Sequence, residues 1–310
     1  MFSRGATNRT AVKRRGLGLL AACFFAAWCP AGSASALQAE VTPRFSVPGN
    51  VLVCRAGGLV PTGMVLKGFG QTAPFYYSRS EGDWVALLAV PLTADQGTAP
   101  LEIDWSKGSH ALSVVVGPDP YPATRSLKVR GLRRRLARAE TSGDSVLLRR
   151  REEGDAPEPL WTGRFRWPLD GTITVTSPFG ARREYNNGQA AWRHQGVDLR
   201  AAAGSPVRSA NSGRVVLVRR SMALTGGTVV VDHGYGLVSC YFHLSTIGVR
   251  RGQYVRKGEA LGMSGSSGLS NGPHLHFEMR LHGVAVSPLQ WVGNPDERAA
   301  NLSAPRAKAS

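Results

Sequence analysis

The chain has 310 residues, 38 Lys and Arg against 21 Asp and Glu, a net charge of +17, and 42% hydrophobic residues. That length exceeds one typical domain and suffices to bury at least two modest cores. The basic excess points to a polyanionic partner, and the lack of any recognised nucleic-acid motif argues that this partner is not nucleic acid.

Arg4, Arg9, Lys13, Arg14 and Arg15 form a positive segment without acids, followed by an apolar run over about residues 17–28 and a small-residue site at Ala34-Ser35-Ala36. This reads as a secretory signal over residues 1–36. The apolar run is too short for a comfortable membrane span, which needs roughly 20 residues, so contact with the membrane is expected only in transit. Two variants compete: Arg14-Arg15 faintly resembles a twin-arginine signal, and Leu20-Ala21-Ala22-Cys23 fits a lipoprotein pattern that is weakened by the apolar residues beyond Cys23. Loss of the five basic residues takes the charge from +17 to +12. The expected location is outside the cytoplasm, in a periplasm or cell envelope.

Residues 37–119 hold short β-prone runs separated by turn residues: Val51-Leu52-Val53, Met64-Val65-Leu66, Trp84 to Val90, Leu101 to Trp105 and Leu112 to Val116. The spacing predicts a β-sandwich-like domain. Residues 120–158 change character, with Arg130, Arg133, Arg134, Arg135 and Arg138 before a polar break and Arg149-Arg150-Arg151-Glu152-Glu153 after it. Leu132 and Leu136 give a weak helical stripe, so this reads as a basic linker, helical in part. It is either a solvated connector or an arm that grips a polyanion.

Residues 159–294 are rich in glycine and β-branched residues, as in Thr172 to Thr176, Gly213 to Val218 and Gly227 to Val231. Short strands joined by turns predict an antiparallel β-fold, and the chain as a whole reads as mainly β. Residues 295–310 read as a disordered tail.

Four of the seven histidines and one aspartate fall in His194-Gln195-Gly196-Val197-Asp198, Tyr241-Phe242-His243 and His274-Leu275-His276. Imidazole nitrogen and carboxylate oxygen are zinc donors, and a catalytic zinc site takes three protein ligands and leaves a position for water. In a strand, residues i and i+2 share a face, so His274 and His276 stand side by side. One can hold a metal while the other reaches a substrate. His110, His233 and His282 read as ordinary structural or surface histidines, His233 within the turn Asp232-His233-Gly234-Tyr235-Gly236.

This ordered set resembles the zinc endopeptidases of the lysostaphin and LytM type, peptidase family M23, which cut peptide bonds in the bacterial cell wall. The resemblance covers about residues 160–292. It extends through Ser177-Pro178-Phe179-Gly180, Asp232-His233-Gly234, Gly252-Gln253-Tyr254-Val255-Arg256-Lys257-Gly258, Gly272-Pro273-His274-Leu275-His276-Phe277-Glu278 and Val286-Ser287-Pro288-Leu289. It implies one Zn2+ per chain held by His194, Asp198 and His276, with His243 and His274 as catalytic histidines. His274 is the first choice for general base, although the two roles can be exchanged. The HExxH helix is absent, so no glutamate of that motif serves as base.

The implied substrate is peptidoglycan, at a stem peptide or cross-link. A bond between D-alanine and a diamino acid is the first choice and a glycine bridge the second. Two other readings stand beside it. One is a wall-binding activator of another hydrolase, acting without its own catalysis. The other follows from a likeness of residues 249–261 to carrier-domain hairpins, but Lys257 lacks their surrounding signature. The loop Glu184 to Gln189 precedes His194, and residues 37–158 or Asn187 are expected to limit access to the site, unless Asn187 is a turn residue before Gly188.

Cys54 and Cys240 are the cysteines beyond the signal segment, and they do not form a zinc site. Strand alternation puts Cys240 opposite His243, as a small buried hydrophobe. An oxidising compartment permits a disulfide between the two, but the sequence supplies no geometry for it. Oligomeric state is not legible.

Overall fold

The computed structural model describes residues 37–58, 60–79, 81–121, 124–142, 156 and 158–292. The expected signal at 1–36, the second half of the basic linker and the expected tail at 295–310 lie outside the described residues. Strands dominate throughout, and among the described residues no helix is long and apolar enough to cross a membrane.

The N-terminal part is two sheets packed face to face. One has four strands in the order Gln38–Thr42, Val51–Gly57, Asp83–Ala89, Tyr76–Ser78. The other has five, in the order Phe45–Ser46, Gly108–Val116, Gly97–Trp105, Val65–Gly68, Gln71–Pro74. Leu52, Cys54, Leu66, Leu88, Leu101, Ile103 and Val114 fill the space between them.

The residues that alternate with these on the four-stranded sheet, Val51, Val53, Val85, Leu87 and Ala89, join a second core together with Phe179, Leu199, Tyr241 and Phe277. That sheet is therefore buried on both faces. This explains why Val51 to Cys54 and Val85 to Ala89 read as unbroken apolar runs with no polar face.

The C-terminal part is built on an antiparallel sheet ordered Val175–Ser177, Val197–Arg200, His274–Leu281, Leu237–Leu244, Gly226–Asp232, Gly213–Met222, Tyr254–Val255, with Val284–Val286 paired to His274–Leu281. Only Val175–Ser177 of the run expected from Thr172 is strand. Gly171, at φ 76°, turns the chain just upstream. A hairpin, Arg182–Tyr185 with Ala190–Arg193, lies beside the sheet, and Thr124–Leu127 of the linker adds a parallel strand to it.

The predicted helical stretch of the linker is the helix Leu132–Ser142. Leu132 and Ala139 are buried and Arg135 and Leu136 half-buried, which is one face at helical spacing. Arg135 donates from a guanidinium nitrogen to the carbonyl of Gly268 at 2.7 Å. The linker thus touches both the hairpin and the loop 265–272.

Candidate active site

The central strands divide their side chains between two faces by simple alternation. Val197, Leu199, Leu275, Phe277 and Met279 enter the main core. Asp198, His274, His276 and Glu278 occupy the other face, with Asp198 and His276 directly paired across neighbouring strands. Gly196 makes this closeness possible. A Cβ there would lie 2.4 Å from the carbonyl oxygen of Phe277 and 2.9 Å from His276 Nε2.

His194 is seated by the loop Ser177-Pro178-Phe179-Gly180. Its backbone exchanges hydrogen bonds with Gly180 and Ala181, and its Nδ1 donates to the carbonyl of Pro178 at 2.8 Å.

His243 reaches the site by an irregular route. Regular alternation would send it to the same face as Tyr241, away from Cys240 and Phe242. Instead its φ is 63°, the pairing slips by a bulge between Gly227 and Val229, and its ring lies 4.7 Å from His274 and 6.0 Å from His276, centroid to centroid. The expected opposition of Cys240 and His243 is therefore corrected, because a left-handed residue breaks the two-residue period. Cys240 is the small buried hydrophobe expected, packed with Val216, Leu217, Val230 and Phe242. Cys54 and Cys240 are both free buried thiols in separate clusters, with no disulfide between them. Burial pushes the Cys54 thiol up to about 12 and the Cys240 thiol well above its ordinary value, so neither is a ready thiolate.

Each of the four histidines has one ring nitrogen tied to a protein oxygen. His194 Nδ1 meets Pro178 O, His243 Nδ1 meets Ser267 O at 2.7 Å, and His274 Nδ1 meets Gly272 O at 2.8 Å. His276 Nε2 meets Glu278 Oε1 at 2.9 Å. A carbonyl or carboxylate only accepts, so the tied nitrogen carries the hydrogen. The other nitrogen of each neutral ring is then an acceptor.

Three acceptors converge. His194 Nε2 is 3.1 Å from Asp198 Oδ1 and 3.0 Å from His276 Nδ1, and His276 Nδ1 is 2.8 Å from Asp198 Oδ1. These three groups form the one His, Cys, Asp or Glu cluster of metal-binding size among the described residues. Their spacing is close to the roughly 3.3 Å edges of a tetrahedron with bonds of about 2.0–2.1 Å. Acceptors packed this closely require a cation between them, so the donor set fits a zinc-like ion.

Without a metal, a proton serves as that cation. Burial opposes charge on His276, but the hydrogen bonds and charges of Asp198 and Glu278 outweigh it and raise its pKa to about 9. Burial likewise opposes charge on Asp198, yet the bonds from His194 and His276 hold its carboxyl well below the usual carboxylate range. His194 and His243 are both lowered, chiefly by burial, His243 to about 3 with the charges of His276 and His274 adding to the effect. His274 is the more open ring, with 20% of its side chain exposed against 10% for His276.

A buried relay stands behind His276. Glu278 is brought to about 2 because the Arg280 charge and the His276 bond overcome its burial. Arg280 Nε bonds Glu278 Oε2 at 2.7 Å, and a terminal nitrogen of Arg280 reaches Gln195 Oε1 at 2.5 Å. Carboxylate support of this kind fixes a ligand histidine's tautomer and raises its basicity. Sequence reasoning missed Arg280 and Gln195 in this relay, and Arg183 and Ser177 beside Asp198.

His233 is fully buried, with Nδ1 bonding Ser212 O and Nε2 facing Ser239 Oγ, both at 2.8 Å. Asn187 is exposed at the hairpin tip with φ 57°, so it is a turn residue. Its neighbour Asn186 holds the linker instead, through two hydrogen bonds to the backbone of Val129. Lys257 donates to the carbonyl of Arg164, which leaves it unlike a displayed carrier lysine.

Residues 192–288 match the model of peptidase family M23. An uncharacterised metalloprotease of Haemophilus influenzae is 39% identical over 132 residues, which is 43% of this chain and 28% of the relative. The peptidoglycan DD-endopeptidase ShyA of Vibrio cholerae is 35% identical over 125 residues, 40% of this chain and 29% of that protein. The matches thus span less than a third of those relatives. The crystal structure of a putative peptidase M23 from Pseudomonas aeruginosa superposes with a TM-score of 0.58 at 29% identity, covering 80% of this chain and 94% of that one.

Proposed function

We propose, from the match of residues 192–288 to the model of peptidase family M23, that the protein is a zinc-dependent endopeptidase that hydrolyses peptide bonds of peptidoglycan. The observation that carries the reading is the meeting of three acceptor atoms, His194 Nε2, Asp198 Oδ1 and His276 Nδ1, beside two further histidines whose free nitrogens are also oriented. The polyanionic wall suits a strongly basic chain. The substrate class follows relatives such as the DD-endopeptidase ShyA. Such a substrate places the protein outside the cytoplasm, in keeping with the signal-like N-terminal segment.

When bound, zinc supplies Lewis acidity, polarising a carbonyl and making water acidic enough to give up a proton near neutral pH. The chain's own residues manage that proton. His274 Nε2 is an acceptor fixed by the Nδ1 bond to Gly272, lies 3.7 Å from Asp198 Oδ1 and is the more open ring. It is the general base. His243 is buried and depressed to about 3, so it stays neutral until negative charge develops beside it. It then answers that charge as the tetrahedral species forms or the amine leaves.

The three retained donors favour hydrolysis over activation of another hydrolase. The test is digestion of purified sacculi by residues 37–310 loaded with zinc, with products identified by mass spectrometry. New amine termini at a cross-link are expected, and they should be missing with His274→Ala. Intact sacculi after prolonged digestion by a zinc-loaded, folded protein would contradict the proposal.

A further inference from the structure

Asp198 has two carboxylate oxygens, and only one of them faces the histidines. Oδ1 meets His194 Nε2 and His276 Nδ1. Oδ2 is held by a terminal guanidinium nitrogen of Arg183, which also donates to Ser177 Oγ at 2.8 Å. Arg183 comes from the hairpin strand Arg182–Tyr185, outside the catalytic sheet. Ser177 is the register partner of Asp198 across Val175–Ser177 and Val197–Arg200. The hydroxyl and the carboxylate are thus presented together to one guanidinium edge.

Two features mark this contact as more than surface pairing. Both side chains of the pair are only 13% exposed, which removes much of the screening that makes exposed ion pairs weak. Arg183 Nε is buried with no hydrogen-bond partner. A buried donor without a partner costs free energy, so this arginine sits where its own hydrogen bonding is incomplete while its terminal nitrogen satisfies Asp198.

We propose that Arg183 is a positioning residue which occupies Asp198 Oδ2 and thereby confines Asp198 to a single ligand oxygen. The proposal rests on the metal-centre reading above. A carboxylate can bind a metal through one oxygen or two, and a second bond would fill the open position that a catalytic site keeps for water. The arginine fork suits this task because it is planar and permanently charged, whereas a lysine is a flexible point charge.

The experiment uses residues 37–310 with cobalt(II) as the probe, since its visible absorption is strong in four-coordinate sites and weak in five- or six-coordinate ones. Affinity is measured by chelator competition for wild type, Arg183→Ala, Arg183→Lys and His276→Ala. Folding is checked by near-ultraviolet circular dichroism. Arg183→Ala is expected to bind about one cobalt at saturation with affinity reduced by about 10- to 100-fold and with weakened absorption, as Asp198 turns its second oxygen to the metal. Arg183→Lys should fall between it and wild type, and it serves as the test if Arg183→Ala does not fold. Wild-type affinity and absorption in a folded Arg183 variant would overturn the proposal. Failure of the metal reading is seen separately, as wild type binding no cobalt or His276→Ala binding it as well as wild type.

Discussion

Two kinds of buried histidine stand close together in this molecule. His233, in the turn after Gly226–Asp232, has both ring nitrogens engaged, by the Ser212 carbonyl and the Ser239 hydroxyl. His194, His243 and His276 are buried as well, yet each is tied by one nitrogen to a carbonyl or carboxylate, and the other nitrogen faces the shared site. Burial alone therefore does not separate a structural histidine from a working one. What the second nitrogen faces does: a lone serine hydroxyl for His233, the converging site groups for the others.

The largest expected effect is at the convergent acceptors. His276→Ala or Asp198→Ala should reduce bound zinc from about one per chain to near none, measured by elemental analysis, and abolish wall hydrolysis. Next come the two histidines outside the acceptor triangle. His243→Ala and His274→Ala should keep zinc near wild type while turnover falls by roughly 10² or more. Equal loss of zinc from His274→Ala and His276→Ala would reverse their assignment.

Glu278→Gln sharpens the same contrast by weakening the support behind His276. Its zinc affinity should fall by about 10- to 100-fold in chelator competition. Metal must also displace the proton that His276 holds up to about pH 9 in the metal-free protein, so wild-type affinity should fall as pH is lowered.

His233 should behave in the opposite way, affecting stability and not metal. Its folded pKa is lowered to about 4 by burial, from 6.5, so between those values the unfolded chain binds the extra proton. The stability His233 contributes is complete above pH 6.5 and is lost as pH falls to about 4, a change on the order of 3 kcal/mol. Urea unfolding of wild type and His233→Gln at pH 7 and pH 4.5 should show a smaller pH dependence in the variant, with zinc content unchanged. The smallest effect is expected from Arg135→Ala, which frees the linker helix from Gly268. If the linker restrains the site, hydrolysis should rise a few-fold, and an unchanged or lower rate would make the linker an anchor.

The five residues that the structure brings together were legible as a group because metal and proton chemistry restricts candidates to a few residue types at short spacings. The two faces of the central sheet were legible for the same kind of reason, a period of two. What was hidden depends on contacts distant in sequence. Arg280 meets Gln195 across 85 positions, a contact that no local pattern encodes. Arg183 lies in a hairpin whose side chains alternate without any signal that one of them meets Asp198. His243 was identified by chemistry, but its arrival at the site depends on a positive φ and a bulge that strand periodicity does not encode. The runs Val51-Leu52-Val53 and Trp84 to Val90 signalled strands, and the strands are Val51–Gly57 and Asp83–Ala89. That their second face would join the core of the C-terminal sheet was visible only in three dimensions.

The most direct test of the account is an anomalous difference map from crystals of residues 37–310 grown with zinc, recorded at the zinc edge. One peak is predicted within about 2.0–2.2 Å of His194 Nε2, Asp198 Oδ1 and His276 Nδ1, with His243 and His274 off the metal and their Nδ1 atoms still bonded to Ser267 and Gly272. A peak ligated by His243 or His274, or no peak at the Asp198 cluster in zinc-saturated crystals, would contradict it.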